Sequence, residues 1–242
     1  MNHLDNGREL ADSGDLDAAL EQFTQAIKSD PTDPDAYVER GMVSVELGDE
    51  QSAIEDYTKA IELDSESSLA FYKRGVARQL SDDLDGAIED YTKALELDPA
   101  LASAYNNRGV LRQQREDLDG AIEDYTKAID LNPADALAYN NRGFAWQEKQ
   151  DVDRAIADYS KSIELDPANA TAYNNRGFVW RIKSHLVMDR AIEDFSKAIE
   201  LDSDFANAYH NRSLALRDQG DTYHAQVDLR KAKELDPSLR ID

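Results

Sequence analysis

The stretch Ala53-Ile54-Glu55-Asp56-Tyr57-Thr58-Lys59-Ala60 recurs letter for letter at Ala87–Ala94 and again at Ala121–Ala128, a step of 34 residues each time. Variants of it begin at Ala19, Ala155, Ala191 and Ala225. A glycine keeps the same step at Gly7, Gly41, Gly75, Gly109, Gly143 and Gly177, with Ser213 in the seventh place. Five prolines share one phase: Pro31, Pro99, Pro133, Pro167 and Pro237. A fixed period of this length marks a repeat architecture, in which each unit buries its apolar face only against its neighbours. The units run 1–33, 34–67, 68–101, 102–135, 136–169, 170–205 and 206–239, with a tail at 240–242.

Each unit reads as two helices. In 102–135, Ala104, Tyr105, Arg108, Gly109 and Arg112 form one stripe at spacings of three and four; Ala121, Ile122, Tyr125, Ala128 and Ile129 form a second after Glu116-Asp117. Such spacing places a stripe on one helix face. Small residues, Gly109 and Ala121, allow the two axes to approach. Asp15, Asp49, Asp83, Asp117, Asp151 and Asp221 stand where a carboxylate caps the second helix. Proline then ends it.

Tyr or Phe at unit position 4, Gly at 8, Ala at 20, Tyr or Phe at 24, Ala at 27 and Pro at 32, on a 34-residue period over residues 1–239, resemble the tetratricopeptide repeat family. The resemblance implies an all-α fold: an α-solenoid, a right-handed superhelix of seven helix-turn-helix units forming a single domain over 1–242. It implies first helices lining a concave groove, second helices outside, and binding of proteins or peptides.

Composition narrows the function. The 242 residues carry 50 acidic and 27 basic side chains, a formal net charge of -23, and no cysteine. Disulfides, thiolate metal sites and thiol nucleophiles are excluded. A basic surface for nucleic acid is not expected. No apolar run is long enough to span a membrane, and Met1-Asn2-His3-Leu4-Asp5 lacks the regions of a secretory signal; the expected location is the cytoplasm. No phosphate loop, zinc-protease helix or nucleophile elbow occurs, and the four histidines (His3, His185, His210, His224) are scattered. The expectation is a non-catalytic chain without metal or cofactor.

Two internal covariations point to structure. Positions 21 and 28 are apolar from Leu20/Ile27 through Ile192/Ile199 and become Gln226 and Lys233 in the seventh unit. A polar terminal face suggests a capping unit, so no eighth repeat is expected. Position 7 is Arg40, Arg74, Arg108, Arg142, Arg176 and Arg212, while position 23 is Asp56, Asp90, Asp124, Asp158, Asp194 and Asp228; the first unit loses both at once, as Asn6 and Gln22. A guanidinium fork matches a carboxylate, so these residues are expected to form structural ion pairs between helices, within a unit or across a junction.

In the resembled family, positions 2, 5, 6, 9, 12 and 13 look into the groove. Positions 5 and 6 here read Asn106/Asn107, Asn140/Asn141 and Asn174/Asn175, then His210/Asn211. A carboxamide donates and accepts, so a row of them can hold peptide units. Position 6 resembles the asparagine ladder in the superhelical repeat domain of the O-linked N-acetylglucosamine transferases, except that Glu39 and Lys73 replace it in repeats 2 and 3. Phe144 and Phe178 at position 9 are candidate anchors, and Arg181 at position 12 joins them; Trp146 and Trp180 at position 11 read as core. In the sixth unit the turn Lys183–Asp189 is longer by two residues, and its Leu186 and Met188 read either as an exposed contact or as packing beneath the turn. The first helices of repeats 3 to 7 carry 11 more bases than acids, or six more with the five position-7 arginines set aside. The expected partner is therefore a protein or peptide, extended and neutral to acidic. The favoured reading is an interaction adaptor, monomeric rather than self-assembling. The alternatives are a homo-oligomeric scaffold, or the recognition part of an enzyme whose catalytic portion lies elsewhere.

Overall fold

A computed structural model of the chain describes residues 2–239; Met1, the 240–242 tail and the His185 side chain lie outside the described residues. Among the described residues there are helices and no strands. First helices are α1 (His3–Asp12), α3 (Pro34–Glu46), α5 (Ser68–Leu80), α7 (Ala102–Gln114), α9 (Ala136–Glu148), α11 (Ala170–Lys183) and α13 (Ala206–Gln219). Second helices are α2 (Leu16–Ser29), α4 (Glu50–Leu63), α6 (Leu84–Leu97), α8 (Leu118–Leu131), α10 (Val152–Leu165), α12 (Met188–Leu201) and α14 (Thr222–Leu235). The chain divides into two compact units, 1–115 and 116–242. In the first, α1 to α7 pack each on the next in chain order; in the second, α8 to α14 do the same, and first helices also touch at α9–α11 and α11–α13.

The helix boundaries follow local chemistry. Asp15, Asp49, Asp83, Asp117, Asp151 and Asp221 each accept the backbone N–H three residues on, at the start of the second helix. Between first and second helix the chain must turn through a left-handed residue. Glycine meets this need at Gly14, Gly48 and Gly220, but Asp82, Glu116 and Gln150 adopt φ of 66°, 64° and 62° at the same phase. The longer turn of the sixth repeat replaces this device. Ser184 is extended, a short 3-10 turn follows at His185–Val187, and α12 begins at Met188 without a side-chain cap.

The core is a column of small residues and rings. Tyr57, Tyr91, Tyr125, Tyr159, Phe23 and Phe195, all at position 24, are fully buried, as are most of the alanines at positions 3, 20 and 27. A Cβ added at Gly143 would lie 3.0 Å from the Tyr159 ring, and one at Gly177 would lie 2.8 Å from Phe195. The glycine thus admits the ring. Where Ser213 takes the place of glycine, position 24 is Leu229 rather than a ring. Ile122, Ile129, Ile156 and Ile163 are buried, whereas Gln226 and Lys233 are exposed.

Candidate functional site

The position-7 arginines lie between the two faces of each repeat. Arg40 pairs with Asp56, Arg74 with Asp90, Arg142 with Asp158, Arg176 with Asp194 and Arg212 with Asp228, each through Nε and Nη2 on the two carboxylate oxygens at 2.6–2.8 Å. The partner is in the same repeat. The remaining nitrogen, Nη1, crosses the junction and donates to a hydroxyl of the preceding repeat: Thr24, Thr58, Thr92, Thr126, Ser160 and Ser196, from Arg40 through Arg212 in order, Arg108 included. Each guanidinium also sits over the aromatic ring at position 4, 5.5–5.9 Å from its centroid. Hydrogen bonds donated to the carboxylate push the Arg142, Arg176 and Arg212 pKa values up against the opposing effect of burial. These arginines are occupied by the scaffold and are not a basic row for a ligand. In the first repeat His3 Nδ1 instead meets Gln22 Oε1 at 2.8 Å.

The asparagines separate into two roles. Asn106, Asn140 and Asn174 at position 5 are buried. Position 6 stays accessible, and its amide reaches back one repeat: Asn175 Nδ2 donates to Asn140 Oδ1 at 3.4 Å, and Asn211 Nδ2 to Asn174 Oδ1 at 3.0 Å. Asn175 and Asn211 of the outer row are thus held by the inner row, and position 6 is the more accessible of the two. Asn107 is engaged differently, by the phenol of Tyr91. His210, at position 5 of the last repeat, has a buried Nδ1 without a hydrogen-bond partner among the described residues. Burial, with Arg181 and Arg217 nearby, pushes its pKa down and keeps it neutral.

Around these amides lies apolar surface. Positions 2, 6, 9 and 13 share one helix face. On α9 the face reads Leu137, Asn141, Phe144, Glu148, and on α11 it reads Thr171, Asn175, Phe178, Ile182. Phe144 is 40% exposed, and Leu137 and Ile182 about half exposed. Phe178 is drawn inward, against Tyr159 and Val179 on one side and Met188 and Phe195 on the other. Trp146 and Trp180 pack into the same clusters, capped by Arg154 at 4.5 Å and Arg190 at 4.9 Å. Sequence reading missed Leu137 and Ile182, although the 2-6-9-13 spacing carries them. It also missed the junction hydroxyl, although Thr or Ser recurs at position 25 in six repeats and becomes Arg230 in the seventh. In the long turn the two apolar residues part: Met188 is buried, Leu186 is 95% exposed.

The expected basic surplus of the first helices is largely neutralised. Arg115 pairs with Asp85 and Lys149 with Asp119, while Lys183 Nζ lies 2.6 Å from Asp153; each joins position 14 to position 18 of the preceding repeat. Gln219 Nε2 takes the same place beside Asp189 at 2.5 Å. Arg181 Nε meets Asp218 at 3.0 Å, and Arg78 reaches both Asp83 and Asp90. Counting charges along one helix could not find this, because the acids lie on other helices, for Arg115, Lys149 and Lys183 in the preceding repeat.

Residues 4–68 and 206–239 match the tetratricopeptide repeat, and 80–114, 112–150 and 147–180 match the TPR repeat. The chain belongs to the tetratricopeptide repeat family. Members of this family are in general protein-interaction scaffolds, and no catalytic family is indicated. Among solved structures, the chain is similar to YrrB, described as a TPR protein with an unusual peptide-binding site, at 26% identity and a TM-score of 0.68 over 78% of this chain and 96% of that one. MamA is similar at 29% identity and a TM-score of 0.63, over 68% of this chain and 96% of that one. A tetratricopeptide repeat protein from Parabacteroides merdae shares the fold at 21% identity and a TM-score of 0.72, over 97% of this chain and 92% of that one. No curated protein matches the chain. Among the described residues, no helix is long and apolar enough to cross a membrane, and no cluster of His, Asp or Glu is suited to a metal ion.

Proposed function

We propose that this tetratricopeptide repeat protein is a non-catalytic adaptor whose first-helix face over residues 136–218 holds an extended peptide segment of a partner protein. The observation that carries the reading is the tethered row Asn175 and Asn211. Each amide is fixed through Nδ2 and keeps an acceptor oxygen and a second N–H for a peptide unit. Asn141 continues the row by phase, and Leu137, Phe144 and Ile182 offer apolar contact beside it. Pre-oriented amides lose little side-chain entropy on binding. Because Lys149, Arg181 and Lys183 on this face are ion-paired, the segment it suits is neutral rather than strongly acidic. The peptide-binding description of YrrB supports the same class of partner.

The test is selection of random displayed peptides on the whole chain, followed by fluorescence-anisotropy titration of synthetic winners. Asn175→Ala/Asn211→Ala and Phe144→Ala are each expected to weaken binding about tenfold or more. Winners bound equally by all three proteins would overturn the proposal.

A further inference from the structure

The first unit carries a different surface on its own first helices. Its most exposed large apolar side chains, Leu47, Leu69 and Leu80, all lie on α5 or at the end of α3. On α5, Leu69, Val76 and Leu80 fall at positions 2, 9 and 13, one stripe about 16 Å long at the helical rise. Leu69 and Leu80 are each about half exposed. Beside them α3, which packs against α5, presents Asp35, Glu39 and Glu46 at positions 2, 6 and 13. Arg8 donates to Glu39 at 2.6 Å and reaches Asp35 at 4.0 Å. Glu46 meets no cation among the described residues. Lys73 is the basic group on the α5 stripe itself. An apolar stripe with an acidic border on one flank is the complement of a helix with an apolar face and basic residues along one edge.

We infer that the α3–α5 face of the first unit docks a basic amphipathic helix of a partner protein, its apolar residues on Leu69, Val76 and Leu80 and its lysines or arginines along Asp35 and Glu46. Charge alone would draw a basic chain anywhere on so acidic a protein. The apolar stripe is what gives the docking a place and a register. The surface shares no residue with the tethered asparagines of the second unit, and the two differ in chemistry.

The probe is a 16-residue peptide of Leu, Lys and Ala with Leu at i, i+4, i+7 and i+11, titrated by fluorescence anisotropy into the whole chain beside a scrambled peptide of the same composition. The ordered peptide is expected to bind at least about tenfold tighter than the scramble. Leu69→Ser/Leu80→Ser and, separately, Asp35→Asn/Glu46→Gln should each weaken it about tenfold. All four residues are exposed, and unchanged far-UV circular dichroism verifies the fold. Glu62→Gln/Glu89→Gln/Glu96→Gln on the second helices, and Asn175→Ala/Asn211→Ala, should leave binding within about twofold. Equal binding of the scramble, equal loss from the second-helix variant, no loss from the face variants, or no saturable binding would each overturn the inference. The asparagine variant separates this outcome from failure of the peptide face in the second unit.

Discussion

Asp158→Ala removes the carboxylate that holds Arg142 at 2.8 Å through two nitrogens. The two side chains are only 10% and 18% exposed. Breaking a buried pair leaves an uncompensated charge and costs ~3–5 kcal/mol. Arg142 keeps Thr126 Oγ1 at 3.0 Å and the Tyr139 ring at 5.6 Å, so the low end, about 3 kcal/mol, is expected. Thr126→Val removes only the bond across the junction and should cost about 1–1.5 kcal/mol, as befits a hydrogen bond to a charged donor. In the cycle of Arg142→Ala, Asp158→Ala and the double variant, the coupling should exceed about 1 kcal/mol. Arg142→Ala with Asp194→Ala should be additive, because Arg176 holds Asp194. The assay is urea unfolding followed by tryptophan fluorescence. Both tryptophans, Trp146 and Trp180, lie in the second unit with this network, so the signal reports the unit being perturbed. Coupling between Arg142 and Asp158 below about 0.3 kcal/mol would refute the reasoning. It would mean that solvent screens the pair despite its burial.

Gln150→Gly should stabilise the chain by about 0.5–1 kcal/mol by relieving the left-handed backbone at φ 62°, read as a higher urea midpoint. Gly143→Ala should destabilise by about 1 kcal/mol, since overpacking against the Tyr159 ring outweighs the gain in helix propensity. In a Tyr159→Leu background, the pairing seen at Ser213 and Leu229, the same change should become stabilising in thermal melts. For His210, whose folded pKa is below its ordinary value of 6.5, the unfolded chain binds more protons in the window between the two values. Its contribution to stability is therefore full above that window and falls as pH drops through it. His210→Asn should abolish this part of the loss when melting is compared from pH 7.5 to 5, and an unchanged difference between the proteins would sink the assignment.

The periodic letters made the fold legible. Ala53, Ala87 and Ala121 mark a face that must be buried, Gly143 opens room for Tyr159, and Asp151 accepts the free N–H of Arg154 at the start of α10. All of these act within a few turns of chain. The pairing of position 7 with position 23 was also legible, because both vary together inside one sequence. The candidate site was read less completely. Asn106, Asn140 and Asn174 look alike to their neighbours in the letters but are buried, since position 5 turns toward the next first helix while position 6 turns away. Phe144 and Phe178 occupy the same phase, yet the longer turn and Met188 bring extra packing to the second alone.

By itself, then, the sequence determined the period, the two-helix unit, the capped turns and which residue types pair, though not that each pair closes within one repeat. All of these rest on spacings of a few residues along one or two helices, where geometry is set by the 3.6-residue turn. Only the tertiary structure decided what crosses a junction: Arg142 reaching Thr126, Asn211 tied to Asn174, and Lys183 neutralised by Asp153. Those contacts depend on how one repeat stacks on the next. Stacking brings charges some thirty residues apart in the chain within hydrogen-bond reach, and so pairs Arg115, Lys149 and Lys183, which read as free bases along their own helices.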